Sequence, residues 1–238
     1  LPVGWQPAAV EKVEMLYSLF VGDAQRRRFH LLYADAARAA RSFDWELVLE
    51  TLEARLRLFV AEFAQRRVFV HAGVVAWRGR ALLLPGRSMS GKTTLVAELV
   101  RAGARYYSDE YAVLDAQGRV HPFAQPLQLR APGETRQTKH AVAEFGGRAG
   151  VKPLPVALVV VSQYAPDAVW RPRTVTPGQG VLELLAHTVS ARRAPAVAIT
   201  TLQRVTTQAP VWKSKRGEAT AAAAQLLNWL DSPAPGTA

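Results

Sequence analysis

The chain has 238 residues, 49% of them hydrophobic and 21% charged, a globular composition with one buried core and room for a small subdomain, which excludes a disordered chain. It has no cysteine, so disulfides, thiolate metal sites and cysteine nucleophiles are excluded, and a reducing, cytoplasmic location is expected. The net charge of +11 suits an acidic or phosphorylated partner, but 24 of the 30 basic residues are scattered arginines and only Arg26-Arg27-Arg28 forms a run of three, so nucleic acid is not expected as the main partner.

In chain order, Val13–Val21 reads as a strand or short helix, Gly22–Arg28 as polar, and Phe29–Tyr33 as a second strand that could close a hairpin. Asp44 reads as an N-cap with Glu46 in the first helical turn. Leu49, Leu52, Leu56, Phe59, Val60 and Phe63 follow at helical spacing, and Gln65-Arg66-Arg67 are expected to end that helix. The helix is expected to pack across the domain that follows, giving a small subdomain over 1–65 and a main domain over 66–230. Val68–Trp77 and Arg80–Leu84 read as strands joined by a tight hairpin at Arg78-Gly79. Lys92–Arg101 is helical, with Leu95, Val96, Leu99 and Val100 inward and Gly103 as its stop. Arg105–Ser108 and Tyr111–Leu114 are strands around Asp109-Glu110, Asp115–Gly118 is a turn, and Val120 opens another strand. Ala131–Gly150 reads as an irregular or short-helical loop. Leu154–Ser162 is a buried strand, and its apolar run is too short to cross a bilayer, so no membrane partner is expected. A helix is expected around Gly180–Ala191, strands over Val197–Val205 and Ala209–Trp212, a last helix over Glu218–Leu230, and a frayed tail from Asp231.

The stretch from Leu82 to Leu95 carries the chemistry. An apolar strand runs into Gly86-Arg87-Ser88-Met89-Ser90-Gly91-Lys92-Thr93-Thr94 and then into a helix. G-x-x-x-x-G-K-T between strand and helix is the phosphate-binding loop in its confirming context. The glycines let backbone N–H groups turn inward, and the unpaired N–H groups of a helix N-terminus attract anions. Gly86, Ser88, Ser90, Gly91, Lys92, Thr93 and Thr94 are expected to bind phosphates. Lys92 would face the β/γ-phosphates of ATP, and the Thr93 hydroxyl would ligand Mg²⁺.

A strand–helix–strand crossover makes Ala81–Leu84 and Arg105–Ser108 parallel, with both C-terminal ends on one edge. If the two strands are neighbours, Asp109 and Glu110 sit beside the γ-phosphate and its metal. One carboxylate could hold Mg²⁺ and the other orient or deprotonate an attacking hydroxyl. A lone strand histidine such as His71 is ordinarily structural, but its hairpin partner leads into the loop.

His71-Ala72-Gly73, the loop and Tyr107-Ser108-Asp109-Glu110 together resemble the C-terminal domain of bacterial HPr kinase/phosphorylase. That family has a histidine-glycine strand, a phosphate loop, and an acid pair just past the loop's helix, in the same order. A weaker similarity follows at Pro177-Gly178 and the helix reaching Arg193. The resemblance spans residues 66–195. It implies an α/β P-loop nucleotide domain of the HPr-kinase/phosphoenolpyruvate-carboxykinase type with a mixed sheet. It makes Asp109 the base toward a serine hydroxyl and places His71 in the catalytic centre. Glu110 stands where the family has Asp. The family's Glu-x-Arg-Gly-Leu-Gly and Asp-Arg-Leu-Gly motifs are not found, so the chain is more similar to the wider group of HPr-kinase-related proteins. Some of those phosphorylate precursor peptides.

The expectation is therefore a kinase dependent on ATP and Mg²⁺ that acts on a hydroxyl, here serine of a protein or peptide. Asp109, His71 and Lys92 are its catalytic candidates, and Thr93, Asp109 and Glu110 its metal ligands. The alternatives are an ATP-binding sensor or scaffold without transfer, and a small-molecule kinase. An oligomer is compatible with the sequence. Arg192, Arg193, Lys139 and Arg148 are candidates for a cationic rim that attracts an acidic acceptor.

Overall fold

The computed structural model describes residues 13–23, 25, 28–87, 90–130 and 137–232. The chain divides into two compact units, with the boundary between Val60 and Ala61. In the first, strands β1 (Tyr17–Phe20), β2 (His30–Ala34) and β3 (Ala37–Ser42) form an antiparallel meander. The expected hairpin is present, and β3 adds a strand that the mixed small and charged residues of Ala37–Ser42 did not reveal. Helix α1 (Trp45–Phe63) begins where Asp44 Oδ1 accepts the Glu46 N–H at 3.0 Å, the N-cap bond expected of that residue. It stops at Phe63, so Arg66 and Arg67 lie beyond it rather than in its last turn.

The second unit is α/β with a mixed sheet. Its strands are β4 (Val68–Trp77), β5 (Arg80–Pro85), β6 (Arg105–Ser108), β7 (Tyr111–Leu114), β8 (Val120–His121), β11 (Val156–Tyr164), β12 (Arg173–Val175) and β13 (Val211–Arg216). They run in the order β12-β13-β11-β5-β4-β7-β8, with β6 also on β4. β5, β11 and β13 are parallel, while β4 is antiparallel to β5, β6 and β7. Arg78 and Gly79 both take positive φ, 47° and 77°, which is the hairpin geometry their tight turn requires.

β11, β5 and β4 read as apolar runs because both of their faces are covered. Helices α2 (Lys92–Arg101) and α5 (Ala219–Asp231) pack on one face, and α3 (Pro177–Leu185) and α4 (Pro195–Gln208) on the other. Alternation along β4 sends Val70, Ala72 and Val74 toward α3 and α4 and leaves His71, Gly73 and Val75 facing α2. Gly73 has a steric reason. A Cβ there would lie 2.6 Å from Val96 Cγ2 of α2.

Three segments differ from the sequence expectation. Val197–Val205 is not a strand but lies within α4. Its β-branched residues suggest a strand, but Ala198, Thr201, Leu202 and Val205 make a buried stripe at helical spacing, and Pro195 opens the helix. Within Ala131–Gly150, residues 131–136 lie outside the described residues. The rest is more ordered than expected, because β9 (Leu127–Arg130) pairs with β10 (Gln137–His140) and a 3₁₀ turn covers Val142–Phe145. The helix expected to reach Ala191 ends at Leu185, and a separate 3₁₀ turn spans Val189–Arg192. The expected tail from Asp231 lies mostly outside the described residues.

Gly150 is the tightest position in this unit. A Cβ added there would lie 2.0 Å from Tyr107 Cε2, on a ring that is 1% exposed and whose hydroxyl donates to the Lys152 carbonyl. Gly150→Ala is expected to cost about 1–3 kcal/mol, the usual range for overpacking a filled core. Chemical denaturation of the two proteins measures it, and equal midpoints would refute it.

Candidate functional site

β5 ends at Pro85, and the chain turns through Gly86 and Arg87 to Ser90, Gly91 and the start of α2. Ser88 lies outside the described residues. Gly91 is the N-cap of α2 with φ 82°, a left-handed conformation open to glycine. Gly91 O accepts the Leu95 N–H at 3.1 Å, the first bond of the helix. The N–H groups of Lys92, Thr93 and Thr94 precede that bond and so have no partner within the helix. The Lys92 ammonium folds back over the loop and donates to the Arg87 carbonyl at 3.1 Å. This puts a full positive charge beside the N-terminus of α2, where charge and helix dipole both favour an anion.

A half-buried histidine and a buried arginine hold this loop from opposite ends. The His71 ring donates to the Gly86 backbone, while Gly86 N–H donates to the His71 carbonyl at 3.3 Å. At the other end Arg216, the last residue of β13 and 2% exposed, donates from Nη2 to Gly91 O at 2.7 Å and from Nη1 to Gly217 O at 3.1 Å. Sequence reading missed Arg216 because Lys213-Ser214-Lys215-Arg216 looks like a solvated basic run. The signal available was the parallel strand beneath it, which ends on the same edge as β5.

Asp109 and Glu110 follow β6, but β6 is not the neighbour of β5. β4 lies between the two and is antiparallel to both. β5 and β6 are parallel, as expected, but they are not neighbours. The Gly73-containing strand is apolar enough to be enclosed between them, so the hairpin that leads into the loop also separates the loop from the acids. The edge is nonetheless shared. Pro85 pairs with Ala72, Ser108 with Val74 and Tyr111 with His71, so all these strand ends meet around His71. The Ala72 N–H also donates to the Glu110 carbonyl at 3.2 Å.

Electrostatics tie the group together. Burial raises the Asp109 pKa above the usual carboxylate range, opposed by hydrogen bonds from the Tyr106 hydroxyl and the Gln128 N–H and by the Lys92 charge. Burial lowers the Lys92 pKa, opposed by the Asp109 charge. Tyr106 Oη lies 2.8 Å from Gln125 O and 3.1 Å from Asp109 Oδ1. One hydroxyl has one proton, so an ionised Asp109 competes with Gln125 for it. When Asp109 is protonated it can donate to Tyr106 while Tyr106 donates to Gln125. The trio therefore accommodates Asp109 in either protonation state.

A second histidine joins the site. His187, in the turn after α3, is brought in by its carbonyl, which accepts the His71 N–H at 2.8 Å, and by the bridge between Val70 and Thr188. Burial lowers its pKa, followed by the charges of Lys92 and Arg87. Burial and Lys92 push His71 down to about 4. Sequence spacing could not find His187, which lies about a hundred residues from the loop.

His71 predicts an acid lability. Between about pH 6.5 and 4 the unfolded chain holds a proton there that the folded chain does not. Stability therefore falls as pH drops through that window, and His187 adds in the same direction. His71→Asn is expected to flatten the decline of Tm between pH 6.5 and 4. Parallel Tm–pH curves for both proteins would refute the assignment.

The expected cationic rim is only partly available. Arg193 Nε donates to Glu62 Oε1 at 2.9 Å, and its guanidinium lies 3.7 Å from the Phe63 ring centroid. Lys139 and Arg148 lie elsewhere, on β10 and beyond the following 3₁₀ turn. Arg192 is exposed at the end of its own turn. Among the described residues no group of three or more His, Asp or Glu side chains could hold a metal. No helix among them is long and apolar enough to cross a membrane. No family model matches this chain, and no curated protein matches it. The resemblance to HPr kinase/phosphorylase thus rests on the short motifs that carry it.

Proposed function

We propose that this chain is an ATP-dependent kinase that transfers the γ-phosphoryl group to a hydroxyl, with serine of a protein or peptide as the favoured acceptor. It would be a P-loop nucleotide domain of the HPr-kinase type. The observation that carries this reading is the Lys92 ammonium, folded onto the Arg87 carbonyl at 3.1 Å while sharing the field of half-buried Asp109 across β4. A cation for polyphosphate and a carboxylate of raised basicity are the two groups that phosphoryl transfer to a hydroxyl requires.

In the reaction, the N–H groups at the start of α2 and the Lys92 ammonium hold the phosphates. Asp109 takes the proton of the acceptor hydroxyl as its oxygen bonds to the γ-phosphorus. The bond from that phosphorus to the β–γ bridging oxygen breaks, and ADP carries away the electron pair. Tyr106 then receives a hydrogen bond from protonated Asp109. His71 orients the loop through Gly86. With Asp109 kept as the base, the oxygen donors Thr93 and Glu110 would suit a hard divalent cation, since Mg²⁺ commonly takes only one or two carboxylates from a protein. Bound there, Mg²⁺ would neutralise developing charge on the phosphates.

The test is transfer of labelled γ-phosphate from ATP to a serine-containing peptide library, with ATP hydrolysis followed alongside. Labelled peptide is the expected result. ATP binding with neither transfer nor turnover would replace the kinase by an ATP-binding sensor.

A further inference from the structure

Beside the loop lies a cavity of about 430 Å³ that the transfer step leaves unused. Arg87, Ser90, Ser162, Gln163, Tyr164 and His187 line it. We propose that this cavity takes the nucleoside half of the nucleotide, so that the acceptor reaches Asp109 from the opposite side, beyond β4. The inference rests on the reading of Gly86–Thr93 as a polyphosphate site.

β5 carries the loop and has β11 on one side and β4 on the other. The cavity lies at the C-terminal end of β11, whereas Asp109 follows β6 on the far side of β4. A nucleotide with its phosphates at Lys92 extends toward one of these sides. Asp109 must stay open to a hydroxyl, which leaves the β11 side for the nucleoside.

The cavity volume falls within the range of small-molecule sites, roughly 300–1,000 Å³. No carboxylate occurs among the described lining residues, so nothing there repels the phosphate end. Gln163 offers an amide with both donors and an acceptor, which is what the edge of a base requires. Tyr164 offers a ring face. His187 is held in its neutral form by burial and by Lys92 and Arg87, so it can donate or accept without adding charge.

Tyr164 Oη donates to Glu218 Oε1 at 3.1 Å, and the Arg216 guanidinium lies 5.6 Å from the Tyr164 ring centroid. The same guanidinium holds Gly91 O. The ring that would meet the base is thereby tied to the loop that would meet the phosphates.

The experiment compares affinity for ATP with affinity for tripolyphosphate, which lacks a nucleoside, by calorimetry. The proteins are wild type, Gln163→Ala, Tyr164→Ala and Tyr164→Phe. Both positions are exposed at the end of β11, and the Tm of each variant is read alongside. The alanine variants are expected to lose about tenfold in ATP affinity, the scale of a stacking or base-edge contact, and to keep wild-type tripolyphosphate affinity. Tyr164→Phe keeps its ring and is expected to bind ATP nearly as wild type does. An unchanged ratio of the two affinities in both alanine variants would overturn the nucleoside assignment alone. A raised acceptor KM with that unchanged ratio would give the cavity to the acceptor instead. If wild type bound neither ligand, the polyphosphate reading would fall and this inference with it.

Discussion

Asp109→Asn is expected to reduce phosphoryl transfer by about 10²–10⁴-fold, the contribution of a positioned acid–base group, while ATP still binds. The amide is nearly isosteric, and its oxygen can keep the hydrogen bond from Tyr106. It cannot accept a proton as a base. The fold should not suffer, because burial disfavours the ionised carboxylate at this position. An uncharged amide relieves that cost, so the variant's Tm is expected to equal or exceed the wild-type value. Single-turnover transfer, ATP calorimetry and Tm are read on the same preparation. Wild-type transfer in the variant would remove Asp109 as base. Joint loss of ATP affinity and transfer would assign the carboxylate to the metal.

Much of this site could be read in the sequence, and the residues explain why. The loop, its helix and the acid pair are contiguous stretches whose spacing is set by local geometry, so Lys92–Arg101 and Arg105–Ser108 have the expected bounds. What sequence could not supply was lateral order. Nothing in Val68–Trp77 says that it lies between β5 and β6, since an enclosed apolar strand looks the same at any interior position of a sheet. His187 and Arg216 escaped for the same reason. Each reaches the loop only through a distant pairing, the bridge of Val70 to Thr188 and the register of β13 on β11. The misassignment of Val197–Val205 has another cause. Its composition favours a strand, and the buried stripe of α4 outweighed that propensity, as tertiary packing commonly does.

Lys92→Ala is expected to weaken ATP binding by at least about tenfold, since a charge-assisted contact is worth roughly 1.5–3 kcal/mol. Lys92 is the first residue of α2 and its N–H closes no bond within the helix, so truncation leaves the backbone of α2 intact and alanine favours the helix. What is lost is the ammonium and its bond to the Arg87 carbonyl. Its removal also withdraws a charge that lowers the pKa values of Asp109, His71 and His187. The variant should therefore titrate differently as well as bind weakly. The Asp109 carboxyl is expected to move further up, and both imidazoles to move up from their depressed values. NMR titration of the histidine ring protons reads the second effect without any nucleotide present. A folded Lys92→Ala protein with wild-type ATP affinity would end the assignment of Gly86–Thr93 as a phosphate loop. Unmoved histidine titrations would show that Lys92 lies too far from them to form one site.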